Sequence, residues 1–288
     1  MKTKNVLLVC SAVLLVGCGG GSSPSESNTP TNNATPPSAT PPPVVENPTV
    51  APVVDGSLTS IGIYFIYTPT VQSAYNVGAK IDHYIAFTNA VNQKSGIALE
   101  YYSVGSHQDD SQEYLIAGEA FAESLNRITP DTNPKIDSLA KSLQADVVVG
   151  FRMSEKSSGI VECGVSWIGG LLGEGMYSGI SASIVDPECS SVTLAHELGH
   201  VHGLEHSEFQ GDSGGIYPYS RGYGVQNDFS TVMTYDFVFN ATIVPIYSTP
   251  NLLCGTSEVP CGVSEGDAHQ ADATKSIINT KNFVASFR

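Results

Sequence analysis

The sequence predicts an α+β fold in which a twisted, mostly parallel sheet carries helices against it. Three observations carry that prediction. Segments rich in β-branched and aromatic residues alternate with segments of helical periodicity from residue 58 onward; a proline-rich stretch ends where this alternation begins; and a late apolar helical segment bears histidines four residues apart.

The N-terminus reads as an address. Lys2 and Lys4 precede an apolar run over residues 6–16, too short for a comfortable membrane span, and the run ends in Leu15-Val16-Gly17-Cys18. That ending resembles the lipobox of bacterial lipoproteins. The resemblance implies cleavage before Cys18, acylation of its thiol and new amine, and anchoring in a lipid bilayer. Gly19, rather than Asp, after the cysteine points to the outer membrane or cell surface. An ordinary signal peptide with an incidental cysteine is the alternative. The expected organisation is a lipoprotein signal peptide at 1–17, a lipidated cysteine and tether over 18–56, and a folded domain over 57–288. Residues 19–56 hold nine of the 17 prolines and no Lys or Arg, so they bury no core. Extended at ~3.1 Å per residue, such a tether reaches roughly 100 Å.

Residues 61–67, with Ile, Tyr and Phe, predict a strand stopped near Pro69. Residues 74–95 predict one long helix, with Ile81, Tyr84, Ile85, Thr88 and Val91 at helical spacing and Gly96 beyond. Residues 97–104 predict a second strand. After a polar stretch at 109–112, residues 134–144 predict a helix feeding a strand over 146–153. Strands over 161–168 and 177–185 follow, joined by a glycine-rich turn at 169–175. This strand–helix alternation is what makes the sheet mostly parallel. Residues 267–287, bearing Ala and Ile, predict a closing helix.

Between these lies His196-Glu197-Leu198-Gly199-His200-Val201-His202-Gly203-Leu204-Glu205-His206. The apolar run over 192–195, with Ser190 and Ser191 as N-cap candidates, starts a helix. His196 and His200 at i and i+4 leave one face of it and can share a metal ion. Glu197, ~100° round, reaches a metal-bound water without ligating. Gly203 can adopt a left-handed conformation and end the helix, so that His206 returns as a third ligand. Three neutral nitrogens leave a fourth tetrahedral position open, the pattern of catalytic zinc. His202 lies ~240° from His196 and is assigned to packing or surface; His83, His107 and His269 are isolated.

The pattern H-E-x-x-H-x-x-G-x-x-H resembles the metzincin clan of zinc endopeptidases. That likeness demands a methionine turn, and Ser230-Thr231-Val232-Met233-Thr234-Tyr235 supplies one, with Met233 27 residues after His206. The resemblance places Met233 beneath the histidines as an apolar floor. It gives Tyr235 a role in ligating zinc or stabilising an oxyanion. Leu125-Asn126-Arg127, the helix to Ala145, the strand beyond it and Cys163-Gly164-Val165-Ser166-Trp167-Ile168 look like secreted bacterial reprolysin-like peptidases, including peptidyl-Asp metallopeptidases. The likeness covers roughly residues 58–288. It implies an antiparallel edge strand at Gly164, Val165, Ser166 and Trp167 to which substrate backbone adds, with Trp167 lining the cleft, and a pocket wall over residues 236–250. Ser207 after the third histidine is as in matrixins, whereas adamalysins usually carry Asp there.

The formal net charge of −15 without a basic stripe excludes nucleic acid as an expected partner. Cys10 leaves with the signal, and Cys163, Cys189, Cys254 and Cys261 remain beside Cys18. In an oxidising compartment these suggest two disulfides, with three pairings available. Cys254 and Cys261 bracket a short loop and are paired locally, leaving Cys163 with Cys189; thiolate zinc ligation is the weaker alternative. Calcium at the acidic loops near Asp109 or Asp212 has no motif to support it, and oligomeric state leaves no signal. The function expected is zinc-dependent hydrolysis of peptide bonds in extracellular or envelope proteins, with Glu197 activating a zinc-bound water. Two rivals stand beside it: a catalytically silent zinc-binding adhesion lipoprotein, and a hydrolase of cell-wall peptide amides.

Overall fold

The computed structural model describes residues 14–15, 56–154, 161–170, 176, 178–212 and 214–288. Cys18, nearly all of the expected signal peptide and tether, and residues 171–175 of the expected glycine-rich turn lie outside them. Strands β1 (Thr59–Tyr67), β2 (Leu99–Gln108), β3 (Val147–Phe151), β4 (Gly164–Ser166) and β5 (Ala182–Val185) form one sheet in the order β2-β1-β3-β5-β4. Every neighbouring pair is parallel except β4 with β5, so the edge strand beside the histidine helix is antiparallel as expected. A separate two-residue ladder pairs Leu14–Leu15 with Val161–Glu162.

The helices are α1 (Pro69–Ala74), α2 (Val77–Lys94), α3 (Phe121–Ile128), α4 (Pro134–Leu143), α5 (Val192–Val201), α6 (Asp236–Phe239) and α7 (Ala273–Val284). Strand alternation sends Ile61, Ile63 and Phe65 to one side of the sheet, where they pack with Tyr84, Leu194, Leu198 and Ile277 of α2, α5 and α7. Tyr64 and Ile66 point to the other side, onto Phe121, Leu125 and Ile136 of α3 and α4. The sheet is therefore a wall with the histidine helix on one side only.

Several expected elements differ in detail. The long helix expected over 74–95 is α2, which starts at Val77 because Asn76 accepts a hydrogen bond from the Ala79 amide (3.1 Å); the short helix α1 before it was not anticipated. The expected strand over 161–168 is broken at Cys163, which lies outside regular structure; its sulfur bonds Cys189, Cα–Cα 5.7 Å, and ties the approach to β4 to the approach to α5. Among the described residues of the strand expected over 177–185, only Ala182–Val185 forms a strand, after a 3-10 turn at Ser178–Ile180. The closing helix starts later than expected, where Asp272 accepts from the Lys275 amide. Helix α3 was not anticipated, although Phe121, Leu125 and Ile128 stand at i, i+4 and i+7. Cys254 and Cys261 form the second disulfide and close the loop between two short paired strands.

Candidate active site

Helix α5 buries Leu194, Ala195 and Leu198 against the sheet, which turns His196 and His200 together to its other side. It stops at Gly203, whose φ of +82° is left-handed and whose missing Cβ would lie 2.4 Å from the Gly169 carbonyl oxygen. The reversed chain is pinned where the Glu205 amide donates to Ser220 O (2.8 Å), and His206 returns beside the helix. The Nε2 atoms of His196 and His200 lie 3.2 Å apart, and those of His196 and His206 3.3 Å apart.

Each ring is held from behind. Nδ1 of His196 donates to Val232 O (2.8 Å), Nδ1 of His200 to Leu204 O (2.7 Å), and Nδ1 of His206 to Asp212 Oδ2 (2.9 Å). With the protons on Nδ1, three Nε2 lone pairs converge, an arrangement that suits a cation and little else. Burial lowers the His196 pKa to about 3, with the nearby charge of His206 adding to it, and burial carries His200 well below the ordinary histidine value. Both stay neutral, which is the ligating form.

Glu197 is fully buried, and neither carboxylate oxygen has a hydrogen-bond partner among the described residues. Burial, and after it the charge of Glu162, pushes its carboxyl well above the usual range. Gly164 of β4 lies so close that a Cβ there would sit 2.4 Å from Glu197 Oε1. A carboxyl without donors, beside three converging lone pairs, fits a site built for a cation and a water. The residues therefore suit the metal that their sequence pattern implies.

Met233 is buried beneath the helix, its Sδ 2.4 Å from where a Cβ on Gly199 would be, so the glycine is what lets the floor approach. Two residues on, the Tyr235 ring packs 4.7 Å from the His206 ring between centroids. Burial first, and then the charge of Glu197, pushes the Tyr235 hydroxyl pKa up, so it keeps its proton at neutral pH.

The expected substrate strand is only partly at this site. Gly164 faces Glu197, but Ser166 Oγ donates to Ala182 O (3.2 Å), and Val165 packs with α3 and α4. Trp167 does not line the cleft. It shares the Val165 side of the strand, buried in the second core, and its Nε1 donates to Thr129 Oγ1 (2.7 Å). His202 is core rather than surface: its ring bridges the Tyr101 hydroxyl (2.8 Å) and Thr280 Oγ1 (3.1 Å), and burial lowers its pKa to about 3. His83 meets Ser191, His107 meets Tyr64, and His269 meets Glu208.

Two contributors escaped sequence reasoning. Asp212, offered there only to calcium, instead takes both the ring and the amide of His206. Its carboxylate fixes the ring's tautomer and so aims Nε2. Tyr247 donates its hydroxyl to Ala195 O (2.7 Å), bracing α5 just before His196. The other carboxylate offered to calcium, that of Asp109, accepts from the amides of Glu113, Tyr114 and Leu115. At Tyr235 a cavity of about 720 Å³ opens, walled also by Thr193, Thr234 and, as expected, by residues of the segment 236–250.

Comparison with known proteins bears on this geometry. The family model Reprolysin_5, described as metallo-peptidase family M12, matches residues 57–244. A peptidyl-Asp metalloendopeptidase of Pseudomonas aeruginosa is 30% identical over 260 residues, covering 83% of this chain and 42% of the relative. One from Xanthomonas campestris is 24% identical over 254 residues, covering 83% of this chain and 54% of the relative. The chain thus spans about half the length of these relatives. Among solved structures, one described as the structure of a chaperone-substrate complex superposes with a TM-score of 0.62 at 20% identity, over 80% of this chain and 39% of the other, a likeness of fold.

Proposed function

The chain belongs to metallopeptidase family M12, and from that premise we propose that it is a zinc-dependent endopeptidase acting on proteins outside the cytoplasm. One observation carries the reading: three imidazole Nε2 atoms converge, that of His196 lying 3.2 Å from His200 and 3.3 Å from His206, beside a buried carboxyl that has no partner among the described residues. Zn2+ held by His196, His200 and His206 would supply Lewis acidity, lowering the pKa of water and polarising a carbonyl. Glu197 accepts the proton of the attacking water and returns it to the leaving amine. Its lack of other donors leaves both oxygens available for that traffic. The Tyr235 hydroxyl, protonated and packed against His206, donates to the oxygen that becomes negative as water adds. Asp212 and the Val232 and Leu204 carbonyls hold the three rings still throughout, so no reorganisation is needed at the moment of reaction.

Incubation of the purified full chain with casein or gelatin is expected to give hydrolysis that a chelator stops and added Zn2+ restores. Absence of chelator-sensitive cleavage of these proteins and of a proteome-derived peptide library would defeat the reading in favour of a silent binding protein. Cleavage of cell-wall peptide amides alone would favour the other rival.

The lipobox-like ending at Cys18 and the tether after it support a lipid-anchored enzyme at the outer membrane or cell surface. Labelled palmitate should enter the wild-type chain and not Cys18→Ala; equal labelling of the two would remove Cys18 as the anchor.

A further inference from the structure

Ser207, the residue after the third histidine, is turned inward and buried, and its hydroxyl donates to Gln210 Oε1 (2.9 Å). The same oxygen accepts the backbone amide of Tyr235, 25 residues further on, at 3.4 Å. The loop that carries Gln210 is short and closed. Gln210 N donates to Ser207 O and Gly211 N to Glu208 O, both at 2.9 Å, and Asp212 then turns back to the amide and ring of His206. Gln210 thus stands on a bracket fixed to His206 at both ends, and its side chain reaches from there to the backbone that follows the methionine turn.

The amide end of Gln210 shows that packing alone does not explain it. Its Nε2 is buried and has no partner among the described residues. A buried donor left unpaired costs stability, and an apolar side chain of similar size avoids that cost. What an apolar side chain lacks is an oxygen that accepts two hydrogen bonds at once. Tyr235 is where such a hold matters. Its ring packs on those of His206 (4.7 Å) and Phe237 (5.4 Å), contacts that leave a ring free to slide. A donor for a developing oxyanion has to stand within about 0.5 Å of its place, so the backbone that carries it needs a directional tie.

The geometry points to Gln210, held by Ser207, as a positioning residue for the hydrolysis. It fixes the Tyr235 backbone against the His206 loop, and with it the hydroxyl that donates to the oxyanion. This role rests on the peptidase reading above and on the part that reading gives Tyr235.

The test is a double-mutant cycle on the full, zinc-loaded chain with a casein-derived peptide. Gln210→Met, close in size but without the oxygen, should lower kcat about tenfold and leave KM within about twofold. Tyr235→Phe should lower kcat about 10²-fold, the loss of one oxyanion donor. In that background Gln210→Met should cost less than about twofold more, because the hydroxyl it positions is gone. Equal losses in both backgrounds, or an unchanged kcat in Gln210→Met, would overturn the role. Full kcat in Tyr235→Phe would overturn it too and leave the peptidase reading standing, whereas absence of any Glu197-dependent cleavage would remove both. Ser207→Ala, which frees the Gln210 oxygen, should give the same pattern at about threefold, and serves if Gln210→Met does not fold. A second measurement needs neither metal nor turnover: fluorine NMR of the chelated chain labelled with fluorotyrosine. The resonance that disappears in Tyr235→Phe should move in Gln210→Met and in Ser207→Ala. A resonance unmoved in variants that melt like the parent would mean that Gln210 does not place Tyr235.

Discussion

Glu197→Ala is expected to bind Zn2+ as the parent chain does and to lose about 10²- to 10⁴-fold in kcat, the range for removing a positioned general base. The separation of the two effects follows from geometry. The three Nε2 atoms are aimed by Val232, Leu204 and Asp212, none of which involves Glu197. Proton transfer, in contrast, has no substitute, since no described donor or acceptor reaches either carboxylate oxygen. Glu197→Gln, which keeps the shape, should be nearly as slow. The measurements are metal content after dialysis and steady-state rates on a casein-derived peptide. A variant with full zinc and full rate would end the proposed mechanism.

His200→Ala should remove both metal and activity. His200 is fully buried in α5 and its ring is pinned at 2.7 Å to Leu204 O, which aims its Nε2 at that of His196, 3.2 Å away. Zinc that binds only the folded chain stabilises it by mass action, about 2.7 kcal/mol when free metal is a hundred times its dissociation constant. The parent chain should therefore melt at a higher temperature with zinc than after chelation, and the variant should show little such difference. Both would be followed by calorimetry with matched metal concentrations. A zinc-dependent rise in the variant as large as in the parent would show that the metal sits elsewhere.

The features legible in the sequence are those fixed by neighbours along the chain. His196 and His200 share a face because a helix repeats every 3.6 residues, and Gly203 turns the chain because only glycine takes that φ without cost. Strands β1 and β3 are legible from their β-branched residues, and the local disulfide from the shortness of its loop. Asn76 was legible in principle, as the N-cap that sets the start of the expected helix.

Other features depend on contacts between distant residues, and no local pattern marks them. Period-two alternation puts Val165 and Trp167 on one side of the edge strand and Gly164 on the other, but does not say which side meets α5. Packing of α3 and α4 settled it, and Trp167 went to the core. Tyr247 braces α5 from 52 residues away. Asp212 follows His206 by six residues in a loop, where any acidic side chain looks solvated until the fold returns it to the ring.

By itself, the sequence determined the chemistry of this protein: three histidines and a glutamate on one helix and its turn, with a methionine turn to come beneath them. Only the tertiary structure decided how that chemistry is held and what it meets. Hydrogen bonds behind the rings, a carboxyl with no partner among the described residues and a cavity walled from two sides arise where separate segments converge, and side-chain spacing along one segment carries no record of what another will bring against it.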